Sequence, residues 1–338
     1  MNKEPIILAI ESSCDDTAAA ISKGTRILSN EVANQEIHQL YGGVVPELAS
    51  RAHQQNIIPV VDAAIKNANI SKSEIDAIAF TKGPGLLGSL LVGSSFSKSF
   101  ALGMDINLIT VNHMQGHILS HFIDTGEETP NFPFLCLTVS GGHTQIVRVE
   151  SPKDMKVIGT TIDDAAGEAF DKSAKILNLS YPGGPLIDQY AKNGNIHAFE
   201  FGKPKVKELD FSFSGLKTSI LYKIQAENKK NPHFIDENLE DLCASIQHSI
   251  VSILLNKLEK AIKQTGITEL AIAGGVSANS YLRNELQKLS KRKKYKLYIP
   301  RFEYCTDNAA MIAIAGYFKY LNNDFAEQSE IPSARLYF

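Results

Sequence analysis

The chain opens with two short apolar runs on either side of a polar turn. Residues 6–10 are continuously apolar, which is typical of a buried strand. The polar turn 11–16 and the run 17–21 complete the pattern of a β-hairpin. The same order of strand, turn and strand recurs later in the chain, over residues 135–139, 140–143 and 144–149. The repeated order indicates two similar halves.

A second pattern is also repeated. Residues 76–79 predict a strand, and a glycine turn at 83–85 and a helical pattern follow it. Residues 270–273 lead in the same way to Gly274 and Gly275 and to a helical pattern from residue 278. Hairpin followed by strand, glycine loop and helix therefore occurs twice, which predicts a duplicated α/β fold of two lobes. The second copy is longer, which indicates an insertion at about residues 160–235, where substrate specificity often lies.

Three further segments complete the predicted framework. Residues 87–104 place Ser and Gly on one side and large apolar side chains on the other, which predicts a helix packed closely on a sheet. Residues 106–111 predict a strand. Residues 308–320 predict an apolar helix whose Ala and Gly positions permit close packing.

Composition places the chain among ordinary globular proteins and sets limits on its partners. Hydrophobic residues make up 43% and charged residues 21%, and the net charge is −3. Without a global basic field, a nucleic-acid partner has to be held by a local patch or with other subunits. The four cysteines are far apart, which argues against a disulfide framework or a zinc ribbon. No apolar run approaches membrane-spanning length, so we expect a cytoplasmic protein without membrane attachment.

The strongest local signal for chemistry is the segment 113–117, His-Met-Gln-Gly-His. His113 and His117 are four residues apart on one predicted helix face, which is metal-chelating geometry. The alternative is a pair of structural histidines paired with carboxylates. Asp307 is the best distant third ligand, although an Asp just before a helix is commonly an N-cap. His121, one turn further along, is a rival third ligand.

The two hairpin turns are candidate anion sites. Gly141 and Gly142 allow backbone N–H groups to approach a phosphate or acyl oxygen, although Gly-Gly is also a common hairpin turn. The matching first turn carries Asp15 and Asp16, which can hold a cation or orient a water, although Asp in a turn is usually structural.

Four other segments have both a structural and a functional interpretation. Residues 83–88 match G-x-G-x-x-G, but close helix–strand packing is the favoured interpretation. The loop 274–279 can lie against a nucleotide with Asn279 as a donor, or simply pack closely. Residues 163–172 form a carboxylate-rich helical pattern. The basic run 291–296 is typical of a solvated helix end, although its lysines can meet phosphates and Tyr295 can stack on a base.

Taken in order, ten segments resemble one family, the TsaD family of tRNA adenosine threonylcarbamoyltransferases, earlier described as O-sialoglycoprotein endopeptidases. These segments are residues 9–17, 42–51, 83–86, 113–117, 139–144, 163–172, 181–185, 211–218, 274–279 and 306–308. The resemblance implies an α/β duplicated actin-like ATPase fold (ASKHA, RNase H-like), with two lobes and a central cleft. We expect residues 1–131 with the C-terminal helix 312–338 to form the N-terminal lobe, and residues 132–311 the C-terminal lobe.

The resemblance also implies a reaction and its site. The threonylcarbamoyl group moves from threonylcarbamoyl-AMP, the adenylate substrate, to N6 of the adenosine 3′ of the anticodon in tRNAs that read codons beginning with A. One divalent metal per subunit is implied, Fe²⁺ with Zn²⁺ as an alternative, held by His113, His117 and Asp307. The implied substrate contacts are Thr138, Val139, Ser140, Gly141, Gly142, Asp171, Gly184, Asp188 and Asn279.

The implied partners are tRNA, a non-catalytic paralogue (TsaB) and a small P-loop ATPase (TsaE). One residue departs from the family pattern: Gln115 stands where Glu is usual, and a carboxamide cannot act as a base. No general base is assigned. A metalloprotease is disfavoured because the chain lacks H-E-x-x-H at this helix. A small-molecule kinase of the same fold and a non-catalytic scaffold subunit stay as alternatives.

Overall fold

The computed structural model of the chain describes residues 4–35, 37–202, 204 and 206–338. The chain divides into two compact units, Met1–Thr129 with Pro300–Phe338 and Pro130–Ile299. The lobe boundaries expected from the sequence put the return to the first lobe at residue 312, and they stay a prediction. Among the described residues, no helix is both long and apolar enough to cross a membrane.

Unit 1 is built on a five-stranded sheet of order β3-β2-β1-β4-β5. The strands β1 and β2 form the predicted hairpin, and β4 and β5 run parallel to β1. In chain order its elements up to residue 129 are β1 (Ile6–Glu11), β2 (Thr17–Lys23), β3 (Arg26–Ala33), α1 (Ile37–Leu40), α2 (Pro46–Asn67), β4 (Ala77–Gly83), α3 (Leu87–Met104), β5 (Asn107–Asn112) and α4 (His113–Leu119). Short 3-10 turns lie at Lys72–Glu74 and Ser120–Phe122.

Unit 2 repeats this sheet and adds helices. Its elements are β6 (Phe134–Val139), β7 (Thr144–Ser151), β8 (Asp154–Thr160), α5 (Ala166–Ile176), α6 (Gly183–Tyr190), α7 (Ser214–Asn228), α8 (Phe234–Glu237), α9 (Leu239–Thr265), β9 (Glu269–Ala273), α10 (Ser280–Lys293) and β10 (Lys296–Tyr298). A 3-10 turn at Gly275–Ala278 separates β9 from α10.

The duplication predicted from the sequence is confirmed by strand order. The second sheet reads β8-β7-β6-β9-β10, so each of its strands has a counterpart at the same place in the first sheet. The hairpins β1–β2 and β6–β7 are antiparallel, and β4 and β9 pair in parallel with the first strand of their sheets. The helices α5 to α7 lie within the predicted insertion. The carboxylate-rich segment 163–172 is helical only from Ala166, so Asp163 and Asp164 precede the helix.

The last helix, α11 (Ala309–Leu321), returns to unit 1 and packs on its sheet. Its small residues allow this approach: a Cβ on Gly316 would lie 2.8 Å from Cβ of Ala79 on β4. Asp307 precedes this helix by two residues and lies beside His113, which directly follows β5, so it stands at the carboxyl end of the sheet. Close packing of the predicted small-residue helix is thereby confirmed.

Candidate functional site

The predicted histidine helix is confirmed as α4, and its start is fixed by Asn112. The Asn112 side chain is the N-cap and accepts hydrogen bonds from the backbone N–H groups of Met114 and Gln115, at 2.9 and 3.3 Å. His113 and His117 follow one turn apart. Their ring centroids are 4.7 Å apart and their planes are nearly perpendicular. Both side chains are buried, so the helix presents two imidazoles from one face.

Asp307 joins this pair from a distant part of the chain. Its Oδ1 lies 3.2 Å from Nε2 of His117 and 3.4 Å from Nε2 of His113. The capping role that the sequence also allowed for Asp307 belongs instead to Asn308, whose side chain accepts from N–H of Met311 at 3.0 Å. Among the described residues, the candidate metal-ligating group is His113, His117 and Asp307, with ligand atoms within 4.8 Å of one another. The rival ligand His121 is outside it.

Glu11, at the end of β1, stands behind His113 and was missed by the sequence analysis. Its Oε2 lies 3.1 Å from Nδ1 of His113 and accepts from the Thr81 hydroxyl at 2.5 Å. Because a carboxylate only accepts, this contact places the His113 proton on Nδ1 and turns Nε2 toward Asp307. The signal available in the sequence was an acid directly after the apolar run 6–10, and the structure shows that this acid is fully buried.

The electrostatics of the cluster favour a bound cation. Burial alone would lower the pKa of His113, but the carboxylates of Asp307 and Glu11 raise it well above its usual value. Burial opposes ionisation of Asp307 as well, yet the two histidines hold its pKa well below the usual range. The potential that retains a proton on His113 also stabilises a divalent ion in its place.

The donor set itself suits a transition metal. Two imidazole nitrogens and one carboxylate oxygen are ligands of Zn²⁺ and of non-haem Fe²⁺, whereas Mg²⁺ and Ca²⁺ prefer oxygen alone. Glu11 provides the outer hydrogen bond that metal-binding histidines usually have. The residues therefore fit one such ion.

Unit 2 contains a separate pocket of about 340 Å³. It lies where the turn after β6, the helices α5 and α6, and the loop after β9 meet. Five of the predicted substrate residues line it, namely Gly141, Asp171, Gly184, Asp188 and Asn279. The other lining residues are Gly167, Phe170, Pro182, Pro185, Gly275, Val276 and Ala278. Residues that are far apart in the chain, and that the sequence analysis named as one set, thus lie around one pocket.

Asp171 and its neighbours build one wall of the pocket. Oδ1 of Asp171 accepts hydrogen bonds from the backbone N–H groups of Gly183 and Gly184, at 2.8 and 3.2 Å. The carboxylate thereby holds the first turn of α6, where negative charge is favoured. Burial nevertheless raises the pKa of Asp171 above its usual value. A Cβ on Gly183 would lie 2.3 Å from Cβ of Ala174, so the α5–α6 contact requires glycine there.

Asp188 and Asn279 fix the opposite wall. Asp188 accepts from the hydroxyl and the N–H of Ser280, at 2.8 and 3.2 Å, which ties α6 to α10. Asn279 is the N-cap of α10, because its Oδ1 accepts from N–H of Leu282 at 2.9 Å. Its amide donates to Oε1 of Gln247 at 2.6 Å. One amide N–H of Asn279 is thus used within the protein, so Gln247 orients the side chain that the sequence offered as a donor.

The glycine turn after β6 is open, in contrast to its surroundings. A Cβ on Gly141 or Gly142 would meet no atom within 4 Å, so the protein itself does not require glycine there. Neither amide donates a hydrogen bond within the part of the chain that the structure describes. Gly167 behaves differently, since its Cβ would lie 2.6 Å from the carbonyl oxygen of Ser140. Glycine at 141 and 142 therefore leaves room for a ligand against two exposed amides.

Thr138, Val139 and Ser140 do not line the pocket. Thr138 and Val139 are fully buried on β6, and Ser140 closes the turn by donating N–H to the carbonyl of His143 at 2.8 Å. The Thr138 hydroxyl donates to the carbonyl of Gln145 at 3.4 Å, and the Ser140 hydroxyl accepts from N–H of His143 at 3.1 Å, so these two side chains hold the turn in place. The interpretation of these three residues as substrate contacts stays a prediction.

Two other segments have structural roles in the described chain. Gly85 and Gly88 lie against Ser13 and Ser50, where a Cβ would come within 2.4 and 2.3 Å of an oxygen, which supports close packing for the loop 83–88. In the basic run, Arg292 pairs with Glu259 at 3.0 Å and Tyr295 packs against the core of unit 2. The run is the exposed end of α10, and base stacking by Tyr295 is disfavoured.

Comparison with known proteins identifies a family and relatives of this chain. The family model of TsaD, tRNA N6-adenosine threonylcarbamoyltransferase, matches residues 26–314. The enzyme of that name from Christiangramia forsetii is 62% identical over 98% of this chain and 98% of its own length, and that from Riemerella anatipestifer is 61% identical over the same shares. The one from Thermosipho africanus is 50% identical over 93% of this chain and 94% of its own length.

Solved structures of low sequence identity show the same fold. HypF in its phosphate- and nucleotide-bound form matches with a TM-score of 0.62 and 13% identity, over 95% of this chain and 47% of HypF. Component A of (R)-2-hydroxyglutaryl-CoA dehydratase from Acidaminococcus fermentans matches with a TM-score of 0.52 and 16% identity, over 94% and 99%. The predicted actin-like α/β fold is thereby confirmed. From the family model and these relatives together, the chain belongs to the TsaD family of tRNA N6-adenosine threonylcarbamoyltransferases, enzymes of the acyltransferase class.

Proposed function

We propose that the chain transfers the threonylcarbamoyl group from threonylcarbamoyl-AMP to N6 of the adenosine 3′ of the anticodon, in tRNAs that read codons beginning with A. The observation that carries the proposal is the His113–His117–Asp307 cluster in a chain of this family. The open glycine turn of unit 2 supports it, because an acyl adenylate presents both a phosphate and an acyl oxygen to backbone amides.

The reaction itself places modest demands on acid–base chemistry. N6 attacks the carbamoyl carbon, a C–N bond forms, and the bond from that carbon to the phosphate oxygen breaks. AMP leaves with the electron pair, and N6 loses one proton. Because the mixed anhydride has a good leaving group, positioning and charge stabilisation matter more than a strong base. Gln115 cannot take the proton, which agrees with a mechanism that does not depend on that position.

Unit 2 holds the donor in this proposal. The amides of Gly141 and Gly142 donate to oxygen atoms on which negative charge develops. Asp171, Gly184, Asp188 and Asn279 shape the walls and bind polar groups of the adenylate. Thr138, Val139 and Ser140 complete the proposed set through the backbone, because none of the three lines the pocket. Asp171 and Asp188 act largely through the helix starts that they fix.

Unit 1 holds the metal in this proposal. His113 and His117 each offer Nε2 and Asp307 offers a carboxylate oxygen to one divalent ion, Fe²⁺ with Zn²⁺ as the alternative. When bound, such an ion supplies Lewis-acid stabilisation of negative charge. Glu11 keeps the His113 ring oriented, and burial of both histidines excludes competing water.

The proposed partners are tRNA, the paralogue TsaB and the P-loop ATPase TsaE, and for the two proteins the family is the support. We expect the reaction in the cytoplasm and away from membranes. All four cysteines are free thiols, which a reducing compartment preserves. A net charge of −3 gives no overall attraction to RNA, so a requirement for partners in tRNA binding is physically reasonable.

Two rival functions fit less well. A small-molecule kinase of this fold has no use for a buried His–His–Asp cluster. A scaffold subunit has no need for it either, nor for two unused amides in an open pocket. Neither alternative is favoured by the family match.

The test is a reconstituted transfer reaction. Purified chain is mixed with threonylcarbamoyl-AMP and an unmodified tRNA that reads a codon beginning with A, with and without TsaB and TsaE, and the tRNA nucleosides are analysed by mass spectrometry. We expect threonylcarbamoyladenosine together with release of AMP. The proposal is wrong if the complete mixture gives none while a relative of the family does. ATP consumption driven by a small acceptor without tRNA would favour the kinase.

A further inference from the structure

A segment near the end of the chain runs along the edge of unit 1, and we call residues 326–337 the strap. It begins beside β5, where N–H of Ala326 donates to the carbonyl of Leu108 at 2.7 Å. Further along, Lys82 and Glu330 form an ion pair at 2.6 Å, and the Lys98 ammonium donates to the carbonyl of Glu330. The strap is therefore attached to β4, α3 and β5.

The strap then passes over the loop that follows β4. N–H of Ser333 donates to the carbonyl of Lys82 at 2.8 Å, and N–H of Gly85 donates to the carbonyl of Ala334 at 3.3 Å. The approach is so close that a Cβ on Gly83 would lie 2.0 Å from the carbonyl oxygen of Ser333. Gly83 also has a φ of +148°, which few other residues adopt. The loop is therefore shaped to receive the strap.

The far end of the strap reaches the residue that starts the histidine helix. The carbonyl of Tyr337 accepts from the Asn112 side-chain amide at 3.3 Å. The other side-chain atom of Asn112, Oδ1, is the acceptor that caps α4. Tyr337 is 83% exposed, and its contact with Asn112 is made by its main-chain carbonyl. Both polar atoms of the Asn112 side chain are therefore hydrogen-bonded, Nδ2 to the strap and Oδ1 to the start of α4. Asn112 is the residue immediately before His113.

We propose that the strap positions the metal helix through Asn112, which is a positioning residue for the site. This inference rests on the proposed metal-holding role of His113, His117 and Asp307. The helix α4 has 7 residues, too few to be stable without external contacts. The hydrogen bond that Asn112 donates to the Tyr337 carbonyl fixes the Asn112 side chain, and this side chain caps the first turn of α4. His113 is the first residue of that turn. Loss of the strap lets this turn fray and weakens the hold of His113 on the ion.

The strap is expected to change the affinity for the metal by the free energy of about one hydrogen bond, the one between Asn112 and Tyr337. Asn112→Ser keeps an N-cap hydroxyl but is too short to reach Tyr337. A variant without residues 329–338 keeps Asn112 but removes its partner. If the two act through one contact, their effects overlap when combined instead of adding. Asn322→Ser is the matched control, because it removes an Asn amide bond to a main-chain carbonyl (Phe318, 2.7 Å) at the end of α11.

The experiment measures Fe²⁺ and Zn²⁺ dissociation constants by competition with a chelator, and thermal midpoints of the metal-free proteins. We expect about three- to tenfold weaker metal binding in each single variant, no further loss in the combined variant, and unchanged binding in Asn322→Ser. Unchanged metal affinity in Asn112→Ser and in the shortened chain, or fully additive losses, would overturn the role of the strap and leave the metal site standing. A wild-type chain that binds neither ion would overturn the metal site and this role together.

Discussion

The cluster of unit 1 and the pocket of unit 2 lie at corresponding ends of two sheets with the same strand order, but they are built differently. In unit 1 the turn after β1 is filled by the protein: the Ser12 hydroxyl donates to the carbonyl of Ser89, and N–H of Leu86 donates to the carbonyl of Ser13. In unit 2 the matching turn leaves the amides of Gly141 and Gly142 unused by the described residues. In unit 1 the turn after β1 is therefore packed against other parts of the protein, whereas in unit 2 the matching turn after β6 is open to a ligand.

This difference indicates a division of labour between the copies. Side chains that contact one another as charged groups, such as Glu11, His113 and Asp307, suit a small cation. Exposed amides beside glycines suit an anionic ligand with a flat or bulky body. Changes in unit 1 should therefore alter metal binding without altering donor binding, and changes in unit 2 should do the reverse.

The largest effect is expected from His117→Ala. Removing one of three ligands should lower bound transition metal from about one ion per chain to less than about a tenth. His117 is fully buried, so the variant needs a circular dichroism spectrum and thermal midpoint beside the elemental analysis. His121→Ala is the matched control and should keep its metal. Equal metal in wild type and His117→Ala would remove the assignment of the cluster.

Glu11→Gln should have the next largest effect on unit 1. The amide keeps the size of the side chain, but it cannot orient the His113 proton as a carboxylate does, and it leaves the Thr81 hydroxyl with a weaker acceptor. Outer partners of metal-binding histidines are typically worth about 10- to 100-fold in affinity. Chelator competition measures the loss. Glu31→Gln, on the edge strand β3 of the same sheet, is the control. A similar affinity for Glu11→Gln and the control would contradict the orienting role.

In unit 2 the pair Gly167→Ala and Gly141→Ala separates packing from ligand space. The Cβ at 167 would collide with the Ser140 carbonyl, and overpacking of this kind costs about 1–3 kcal/mol of unfolding free energy. The Cβ at 141 meets only open space, so stability should hold while donor affinity falls. Urea denaturation gives the free energy of unfolding, and titration with a non-reactive analogue of threonylcarbamoyl-AMP gives the donor affinity. The open-turn account fails if Gly141→Ala binds the analogue as tightly as wild type.

Asp171 provides a smaller and more specific effect. Asp171→Ala removes the acceptor for Gly183 and Gly184 and should cost about 1 kcal/mol, the usual worth of a helix cap, together with donor affinity. Asp171→Asn keeps an acceptor oxygen, so its unfolding free energy should be close to that of wild type. Its donor affinity should still be lower, because the negative charge is absent. Metal content should be unchanged in both. A loss of metal in either variant would contradict the division between the units.

The smallest effect concerns Asp16 in the closed turn of unit 1. Burial, and then the neighbouring Asp15 and Asp307, raise the pKa of Asp16 to about 7. The unfolded chain loses this proton near pH 4, so the folded state binds more protons between about pH 4 and pH 7, and stability falls as pH rises through that window. In metal-free protein, Asp16→Asn should remove that slope and be more stable by about 1 kcal/mol at pH 8 but not at pH 4. Urea denaturation at the two values checks this, and parallel pH profiles would contradict it.

The sequence predicted the periodic and repeated features well. Both hairpins, the duplication, α3 and the histidine pair follow from local patterns of apolar and polar residues. Glu11 was missed because its role depends on Thr81 and His113, which only the folded sheet brings beside it. The choice between Asp307 as cap and as ligand could not be made from the sequence, because it turns on a one-residue shift that gives the cap to Asn308. Likewise, only coordinates show that Asn279 is already held by Gln247.

The most direct test of the account is the yield of threonylcarbamoyladenosine from four chains in one reaction mixture: wild type, His117→Ala, Asp171→Ala and His121→Ala. Each receives threonylcarbamoyl-AMP, unmodified tRNA and the partner proteins, and the nucleosides are quantified by mass spectrometry. We expect modified nucleoside with wild type and His121→Ala, and a loss of at least about tenfold with the other two. Undiminished modification by both His117→Ala and Asp171→Ala would contradict the central claim that these two sites carry the transfer.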